Sequence, residues 1–191
     1  MFLTISNHTA EGEHQIEELN IEENFGIPVE YTGPLYDSET LKSMFIERTN
    51  ANIGDTDKSK VGILLVGHGQ PDEWDVEWPT ETEQELGFRE DVMDMLAADG
   101  YRPENISLAW MSFKKPKPAE KAEEFLENGI ERLVFFSAAI SADAMHSQYD
   151  IPELVYEADY PEGFPIVDLG AWNDDLIVIQ AIKEKIDPFM E

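Results

Sequence analysis

One uninterrupted apolar run constrains the fold of this chain more than any other feature. Lys60-Val-Gly-Ile-Leu-Leu-Val66 is rich in β-branched side chains and ends at Gly67-His68-Gly69. A short run that is apolar at nearly every position is typical of a parallel strand that is buried on both faces. The sequence therefore predicts a central parallel sheet, with a histidine placed where one of its strands ends.

Further strand and helix patterns alternate along the rest of the chain. The predicted strands are 60–66, 106–110, 132–140 and 165–169, and the predicted helices are 80–98, 118–128 and 174–186. The stretch 150–156 is expected to open with a helical turn. Such alternation implies right-handed crossovers and a parallel sheet. The predicted fold is therefore α/β, a doubly wound parallel sheet of about four strands. Ligands bind beyond the carboxyl ends of the strands in sheets of this kind, and both His68 and the segment 141–146 fall there.

The first 53 residues resemble a second copy of the last 55. For example, Gly26-Ile27-Pro28-Val29 matches Gly163-Phe164-Pro165-Ile166 at an offset of 137. Chance similarity between two strand–helix units is the alternative. A truncated unit of this kind must pack on the complete half or on another subunit, because alone it cannot bury its apolar face. A homodimer is one way to complete a ligand-binding cleft at the carboxyl ends of the strands. The predicted domains are 1–53 as a partial repeat of an α/β half, 54–60 as a linker and 61–191 as the complete domain.

The charge of the chain excludes several classes of partner. Against 41 acidic residues there are 13 Lys and Arg, which gives a net charge of −28. Nucleic acids and anionic lipids bind largely through Lys and Arg, so neither is an expected partner. The simplest interpretation of the acidic residues is a solvated surface that keeps the protein soluble. A cytoplasm of high salt concentration is one setting in which such a surface is found. No cysteine is present, and the sequence shows neither a signal peptide nor an apolar run of bilayer length. We therefore expect no membrane span and a cytoplasmic location.

Two histidines are the candidate chemical groups. His68 follows the first strand, and His146 lies in the segment 141–150 that follows the third. Either one alone is more often a hydrogen-bonding or solvent-exposed residue than a functional one. Two at the carboxyl ends of strands of one sheet are a stronger signal, because neutral imidazole binds first-row divalent metals and accepts protons near neutral pH.

An acidic segment follows the first histidine. Its members are Asp72, Glu73, Asp75 and Glu77, interleaved with Trp74 and Trp78. They either pass hydrated metal ions toward the cleft or form a polar loop with two packing tryptophans. Zinc-protease, phosphate-loop and nucleophile-elbow motifs are not found in the sequence.

Four segments, in the right order over residues 60–187, resemble the class II chelatases, which are the ferrochelatases and the anaerobic sirohydrochlorin cobalt and nickel chelatases. Val66-Gly67-His68-Gly69-Gln70-Pro71 resembles their histidine-bearing strand end, and Ser107-Leu-Ala-Trp110-Met-Ser112 resembles the ferrochelatase Ser-Leu-Ala-Trp-Gln-Ser. Asn128-Gly129-Ile-Glu-Arg132 resembles their helix end and next strand. In Ser141–Asp150 the ferrochelatase glutamate is replaced by His146, as in the smaller sirohydrochlorin chelatases, where Asp-Ile-Pro often follows; Asp150-Ile151-Pro152 stands here.

The resemblance implies a lyase of tetrapyrrole biosynthesis that inserts a divalent metal (Fe²⁺, Co²⁺ or Ni²⁺) into sirohydrochlorin or a porphyrin. It implies that His68 and His146 share metal binding and proton abstraction and that Asp143 orients His146. No cofactor beyond the metal substrate is expected. The implied substrate-binding residues are Trp110, Met111, Ser112 and Lys115, although Trp110 also fits a buried strand position.

A carboxylate-rich tetrapyrrole needs a local basic group in so acidic a protein. The dense basic cluster is formed by Lys114, Lys115 and Lys117, which either hold those carboxylates or form a solvated turn. Two other functions remain open: a non-catalytic tetrapyrrole- or metal-binding protein of the same fold, and a structural α/β subunit with incidental histidines.

Overall fold

A four-stranded, all-parallel sheet forms the centre of the fold. The computed structural model describes residues 3–4, 7–139 and 142–190, and in these the strands run in the order β2-β1-β3-β4. They are β1 (Val61–Gly67), β2 (Ile106–Trp110), β3 (Arg132–Ser137) and β4 (Ile166–Asp168). The predicted α/β class and parallel sheet are confirmed.

Helices connect and flank the strands. The α-helices are α1 (Asn7–Leu19), α2 (Ile21–Phe25), α3 (Glu39–Asn52), α4 (Asp72–Glu77), α5 (Pro79–Ala98), α6 (Pro118–Glu127), α7 (Ile151–Tyr156) and α8 (Leu176–Ile186). A π-helical segment, His146–Asp150, leads into α7, and 3₁₀ turns occupy Lys58–Lys60, Pro103–Asn105 and Asp187–Phe189. The helix starts have local causes: α5 and α6 each begin with proline, and α8 is capped by the Asp175 side chain, which accepts from the Ile177 N–H.

The two faces of the sheet bury two separate cores. On one face Ile63 and Leu65 of β1 pack among side chains of α3, α5 and α8. On the other, Leu64 and Val66 pack among side chains of α6 and α7. Every residue of β1 is buried, as its continuous apolar run predicts. The sheet is doubly wound because it carries helices on both faces.

This connectivity creates a crevice between β1 and β3. The connection that leaves β1 runs through α5 on one face toward β2, whereas the connection that leaves β3 runs through α7 on the other face toward β4, on the opposite side of the sheet. The two therefore diverge at the carboxyl ends of β1 and β3, which are neighbours in the sheet. Ligands of open α/β sheets bind at this kind of switch point, and the segments that carry His68 and His146 leave the sheet there.

The N-terminal residues divide into a packed and a peripheral part. Leu41, Met44 and Phe45 of α3 are fully buried in the same core as the sheet, whereas residues 26–34 form neither helix nor strand. At the offset of 137, Glu39 at the start of α3 falls on Leu176 at the start of α8. The division into partial repeat, linker and complete domain stays a prediction.

Two local predictions differ from the structure. The third strand ends at Ser137 rather than at residue 140, and residues 140–141 lie outside the described residues. The acidic segment after Pro71 is helical, as α4, with Asp72, Glu73 and Asp75 in its first turn. Acidic side chains there are stabilised by the partial positive charge of a helix N-terminus. In the described part of the chain, no helix has the length and apolar character that a membrane crossing requires.

Candidate active site

The turn that carries His68 requires glycine on both sides. A Cβ on Gly67 would lie 1.9 Å from Oε1 of Glu85, and a Cβ on Gly69 would lie 2.5 Å from the Ser112 carbonyl oxygen. Gly69 also has φ of +76°, a conformation that side chains with a Cβ seldom adopt. The Gly-His-Gly sequence is therefore what permits the chain to turn tightly against its neighbours and present the half-buried histidine at the end of β1.

A buried charge pair of α5 supports this turn. Oε1 of Glu85 accepts a hydrogen bond of 2.9 Å from the His68 N–H and lies 3.4 Å from Nη2 of Arg89. Nη1 of Arg89 donates to the carbonyl oxygens of Leu65 and Ala109, at 3.0 and 2.9 Å. Burial raises the pKa of Glu85, an effect that the charge of Arg89 opposes, and burial lowers the pKa of Arg89. This pair was not predicted from the sequence, although an acid and a base four residues apart share one helix face.

His146 opens the π-helical segment on the other side of the crevice. Its Nδ1 lies 2.5 Å from Oδ2 of Asp150, and 46% of its side chain is exposed. The segment is held from below by Ser147, which is buried and whose hydroxyl accepts from the Ala144 N–H and donates to the carbonyl of Ala142. Asp150 thus orients the imidazole, and Ser147 ties the start of the π-helical segment to the residues that precede it.

The two imidazoles face each other. Their ring centroids are 5.3 Å apart and their planes are inclined by 65°. Nδ1 of His68 lies 2.6 Å from the Gly69 carbonyl oxygen, which can only accept, so Nδ1 carries the proton. The same holds for Nδ1 of His146 against the Asp150 carboxylate. On each ring Nε2 is therefore the nitrogen with a lone pair, able to bind a metal or accept a proton. Among the described residues, no set of three or more His, Asp and Glu side chains is grouped as a metal site.

Asp143, which the sequence analysis expected beside His146, lies in a neighbouring cleft of about 360 Å³. The walls of this cleft include Arg48, Ser147, Gln148 and Asp168. Arg48 donates to the carbonyl oxygens of Leu169 and Ala171. The carboxylate that contacts Nδ1 of His146 is that of Asp150.

The predicted substrate-binding residues of the second strand end lie close to His68. The N–H groups of Met111 and Ser112 donate to the carbonyls of Gly67 and His68, at 2.8 and 3.0 Å. Met111 is buried in the core of the α6 and α7 face. Trp110 is buried too, and the guanidinium carbon of Arg89 lies 4.1 Å from the centroid of its ring. These contacts join the end of β2 to the histidine turn.

The three lysines of the basic cluster each have a partner. Nζ of Lys114 lies 2.5 Å from Oδ2 of Asp75, Nζ of Lys115 lies 2.9 Å from Oε1 of Glu120, and Nζ of Lys117 donates to the Met111 carbonyl. The hydrogen bond to Asp75 raises the pKa of Lys114. Only Lys115 has an exposed side chain, at 77%. The substrate-binding role of Lys115 stays a prediction.

Fold and site together define an α/β protein with a doubly wound parallel sheet and two facing histidines at its switch point. No family model matches the chain. The chain is similar to the sirohydrochlorin cobaltochelatase of Methanothermobacter thermautotrophicus, to which it is 28% identical over 101 residues, covering 51% of this chain. It spans 59% of the length of that relative. This similarity agrees with the resemblance to class II chelatases that the four sequence segments indicate.

Proposed function

We propose that this protein inserts a divalent metal ion into a tetrapyrrole, with His68 and His146 as metal ligand and proton acceptor. The observation that carries the proposal is the facing pair of imidazoles, 5.3 Å apart, at the carboxyl ends of β1 and β3. The similarity to a sirohydrochlorin cobaltochelatase supports sirohydrochlorin as the tetrapyrrole and cobalt as the first metal to test, ahead of nickel and iron.

The reaction exchanges two protons for one metal ion. The incoming M²⁺ loses waters as it gains the four ring nitrogens, and the two pyrrole N–H protons leave. A histidine pair suits both halves of this exchange, because an imidazole lone pair holds the cation while its waters depart and an imidazole also accepts a proton. The Gly69 carbonyl and the Asp150 carboxylate keep the protons on Nδ1, so that Nε2 of each ring is available for these steps.

The two imidazoles differ in their exposure to solvent, which suggests different roles in the reaction. His68 is half-buried on a turn that Glu85 holds, whereas 46% of the His146 side chain is exposed. We assign proton acceptance first to His146, because a proton taken there passes readily to solvent, and metal binding to both rings. The acidic surface, with a net charge of −28, raises the local concentration of cations around the crevice.

The experiment is metal insertion followed by absorbance, with purified protein, sirohydrochlorin and Co²⁺, Ni²⁺ or Fe²⁺ in turn. We expect the wild type to accelerate insertion of at least one metal above the uncatalysed rate. His68→Ala and His146→Ala should each abolish that acceleration while metal-free sirohydrochlorin still binds. His14→Ala is the matched control, since His14 lies on α1 and pairs with Glu18 at 3.4 Å, and it should leave the rate unchanged.

Two outcomes contradict the proposal. If the wild type binds sirohydrochlorin but accelerates insertion of none of the three metals, the protein is a non-catalytic tetrapyrrole-binding protein. If both histidine substitutions leave the insertion rate at the wild-type value, the facing imidazoles are not the catalytic groups.

A further inference from the structure

Phe113 occupies a strained turn directly after the end of β2. Its φ is +59°, and the N–H of Lys114 donates to the carbonyl of Ser112 at 2.6 Å. A hydrogen bond between residues two apart, around a central residue with positive φ, defines the rare and strained form of the γ-turn. A bulky residue with a Cβ is disfavoured in this conformation. Local backbone preference therefore does not account for a phenylalanine here.

Burial does not account for it either. The phenyl ring of Phe113 is 64% exposed, so it gains little of the free energy that a buried ring would contribute to folding. A position that is both strained and exposed favours glycine or asparagine on grounds of stability. Strained residues of this kind cluster at ligand sites, where the surrounding structure holds them in place.

The surrounding structure does hold this turn on both sides. On one side the Ser112 N–H donates to the His68 carbonyl at 3.0 Å. On the other side, Nζ of Lys114 contacts the carboxylates of Asp75 and Asp72 on α4, at 2.5 and 3.4 Å. Phe113 thus lies between two anchored residues, one of which is bonded to the backbone of a proposed catalytic histidine. Phe113 is therefore one residue away from a direct backbone contact with the turn that carries His68.

Other large apolar side chains are exposed on segments that leave the same edge of the sheet. Trp74 of α4, which follows β1, is 46% exposed, and Met145 and Tyr149, which follow β3, are 69% and 67% exposed. Exposed apolar groups near a concave site commonly mark a ligand surface. Phe113 follows β2, so each of the three strands β1, β2 and β3 is followed by at least one such side chain.

We propose that the Phe113 ring is a binding contact for the flat face of a planar, conjugated macrocycle. The inference rests on the proposed function for the identity of that macrocycle. An exposed aromatic ring stacks on another flat π-system in offset or edge geometry, which an aliphatic side chain does not do. The strain of the γ-turn is the cost of presenting this ring, and Asp75, Lys114 and Ser112 maintain it.

The test measures binding and stability on the same variants. Metal-free sirohydrochlorin is titrated by absorbance into wild type, Phe113→Gly and Phe113→Tyr, and the thermal unfolding of each is recorded. We expect Phe113→Gly to weaken binding about tenfold, as loss of a stacked ring does, while its melting temperature equals or exceeds that of the wild type. Phe113→Tyr keeps the ring and should bind like the wild type. Phe25→Ala, which removes a 70% exposed ring at the end of α2, should also bind like the wild type.

The outcomes separate this inference from the proposed function. A wild type that binds no sirohydrochlorin contradicts both. A wild type that binds, together with a Phe113→Gly variant of equal affinity, contradicts this inference alone. A Phe113→Gly variant that binds weakly and also melts at a lower temperature contradicts it as well, because the ring would then serve the fold.

Discussion

The carboxylate of Glu85 accepts a hydrogen bond from the backbone N–H of His68, at 2.9 Å, and its partner Arg89 is wholly buried. The proposed catalytic turn therefore rests on a charge pair that α5 supplies from within the protein. Such a pair holds position well, because each charge removed from water depends on the other. Substitutions in α5 should consequently affect both the stability of the protein and the placement of His68.

Arg89→Met should be strongly destabilising. It leaves the Glu85 carboxylate buried without its cation, and losses of about 3–5 kcal/mol are usual for such a change. Urea unfolding measures the difference, and the double variant Glu85→Gln/Arg89→Met should lose less than Arg89→Met alone. The control is Arg102→Ala, which breaks a half-exposed pair with Glu104 and should lower the free energy of unfolding far less, because water screens exposed pairs. Equal losses of unfolding free energy in Arg89→Met and Arg102→Ala would contradict the conclusion that Glu85 and Arg89 form a buried pair on which stability depends.

Gly67→Ala should also destabilise the protein, for a steric reason. The added Cβ would lie 1.9 Å from Oε1 of Glu85 and 2.5 Å from Cζ of Arg89. Both side chains are buried and are held by hydrogen bonds to the backbone, which would have to break for either to move away. We expect a loss of about 1–3 kcal/mol in urea unfolding, as for other overpacked sites. Gly87→Ala is the matched control: it lies inside α5 with nothing within 4 Å of its Cβ position, and it should gain about 0.5–1 kcal/mol. If both substitutions stabilise, the close packing of Gly67 is refuted.

The central strand and the positions of the two histidines could be predicted from the sequence, because burial of apolar side chains alone determines them. The apolar run before His68 predicts β1 because burial on both faces leaves no room for polar side chains, and strand–helix alternation then places His68 and His146 at one edge of the sheet. The pair formed by Glu85 and Arg89 was not predicted, because a buried ion pair on a helix has the same sequence spacing as a solvent-exposed one. The contact between Asp150 and His146 was not predicted, since the π-helical segment that brings them together has no sequence pattern of its own.

Asp150→Asn should impair metal insertion more than Asp143→Asn does. The Asp150 carboxylate fixes the proton of His146 on Nδ1, whereas an amide is able to present an N–H to that nitrogen and favour the opposite tautomer. Loss of such an orienting partner typically lowers metal affinity or activity about 10- to 100-fold. Steady-state insertion rates measure the effect, with sirohydrochlorin affinity as a check on folding. A larger loss in Asp143→Asn would support the sequence-based assignment of the orienting carboxylate to Asp143.

The pH dependence of stability should reveal the bond between Asp99 and Lys58. The hydrogen bond from Lys58, at 2.6 Å, and that from Asn50 hold the pKa of Asp99 below its ordinary value. Since the folded pKa is the lower one, the unfolded chain binds the proton more readily. The contribution is therefore present above the ordinary carboxyl pKa of about 3.9 and is lost as the pH falls through the folded value. Asp99→Asn should be less stable than wild type at neutral pH.

That difference between Asp99→Asn and wild type should begin to shrink below about pH 4, where Asp99 of the unfolded chain takes up its proton, and should be lost once the pH falls below the lower pKa of the folded protein. Urea midpoints measured across the pH range give the comparison. Asp159→Asn removes the same negative charge at an exposed position and controls for the general relief of repulsion. An Asp99→Asn variant that tracks Asp159→Asn at every pH would show that the contact with Lys58 contributes nothing.

Salt should stabilise this protein more than it stabilises a neutral protein of similar size. With 41 acids and 13 Lys and Arg, 28 acids are in excess, and their mutual repulsion opposes the compact state. Raising KCl from about 0.1 to about 1 M shortens the screening length from about 10 to about 3 Å, so the melting temperature should rise steadily over that range. The matched variant carries Glu123→Gln, Glu127→Gln and Glu157→Gln, all at exposed positions near α6 and α7, and its rise should be smaller. A melting temperature that falls with KCl would mean that ion pairs such as Lys58–Asp99 outweigh the repulsion between the acids.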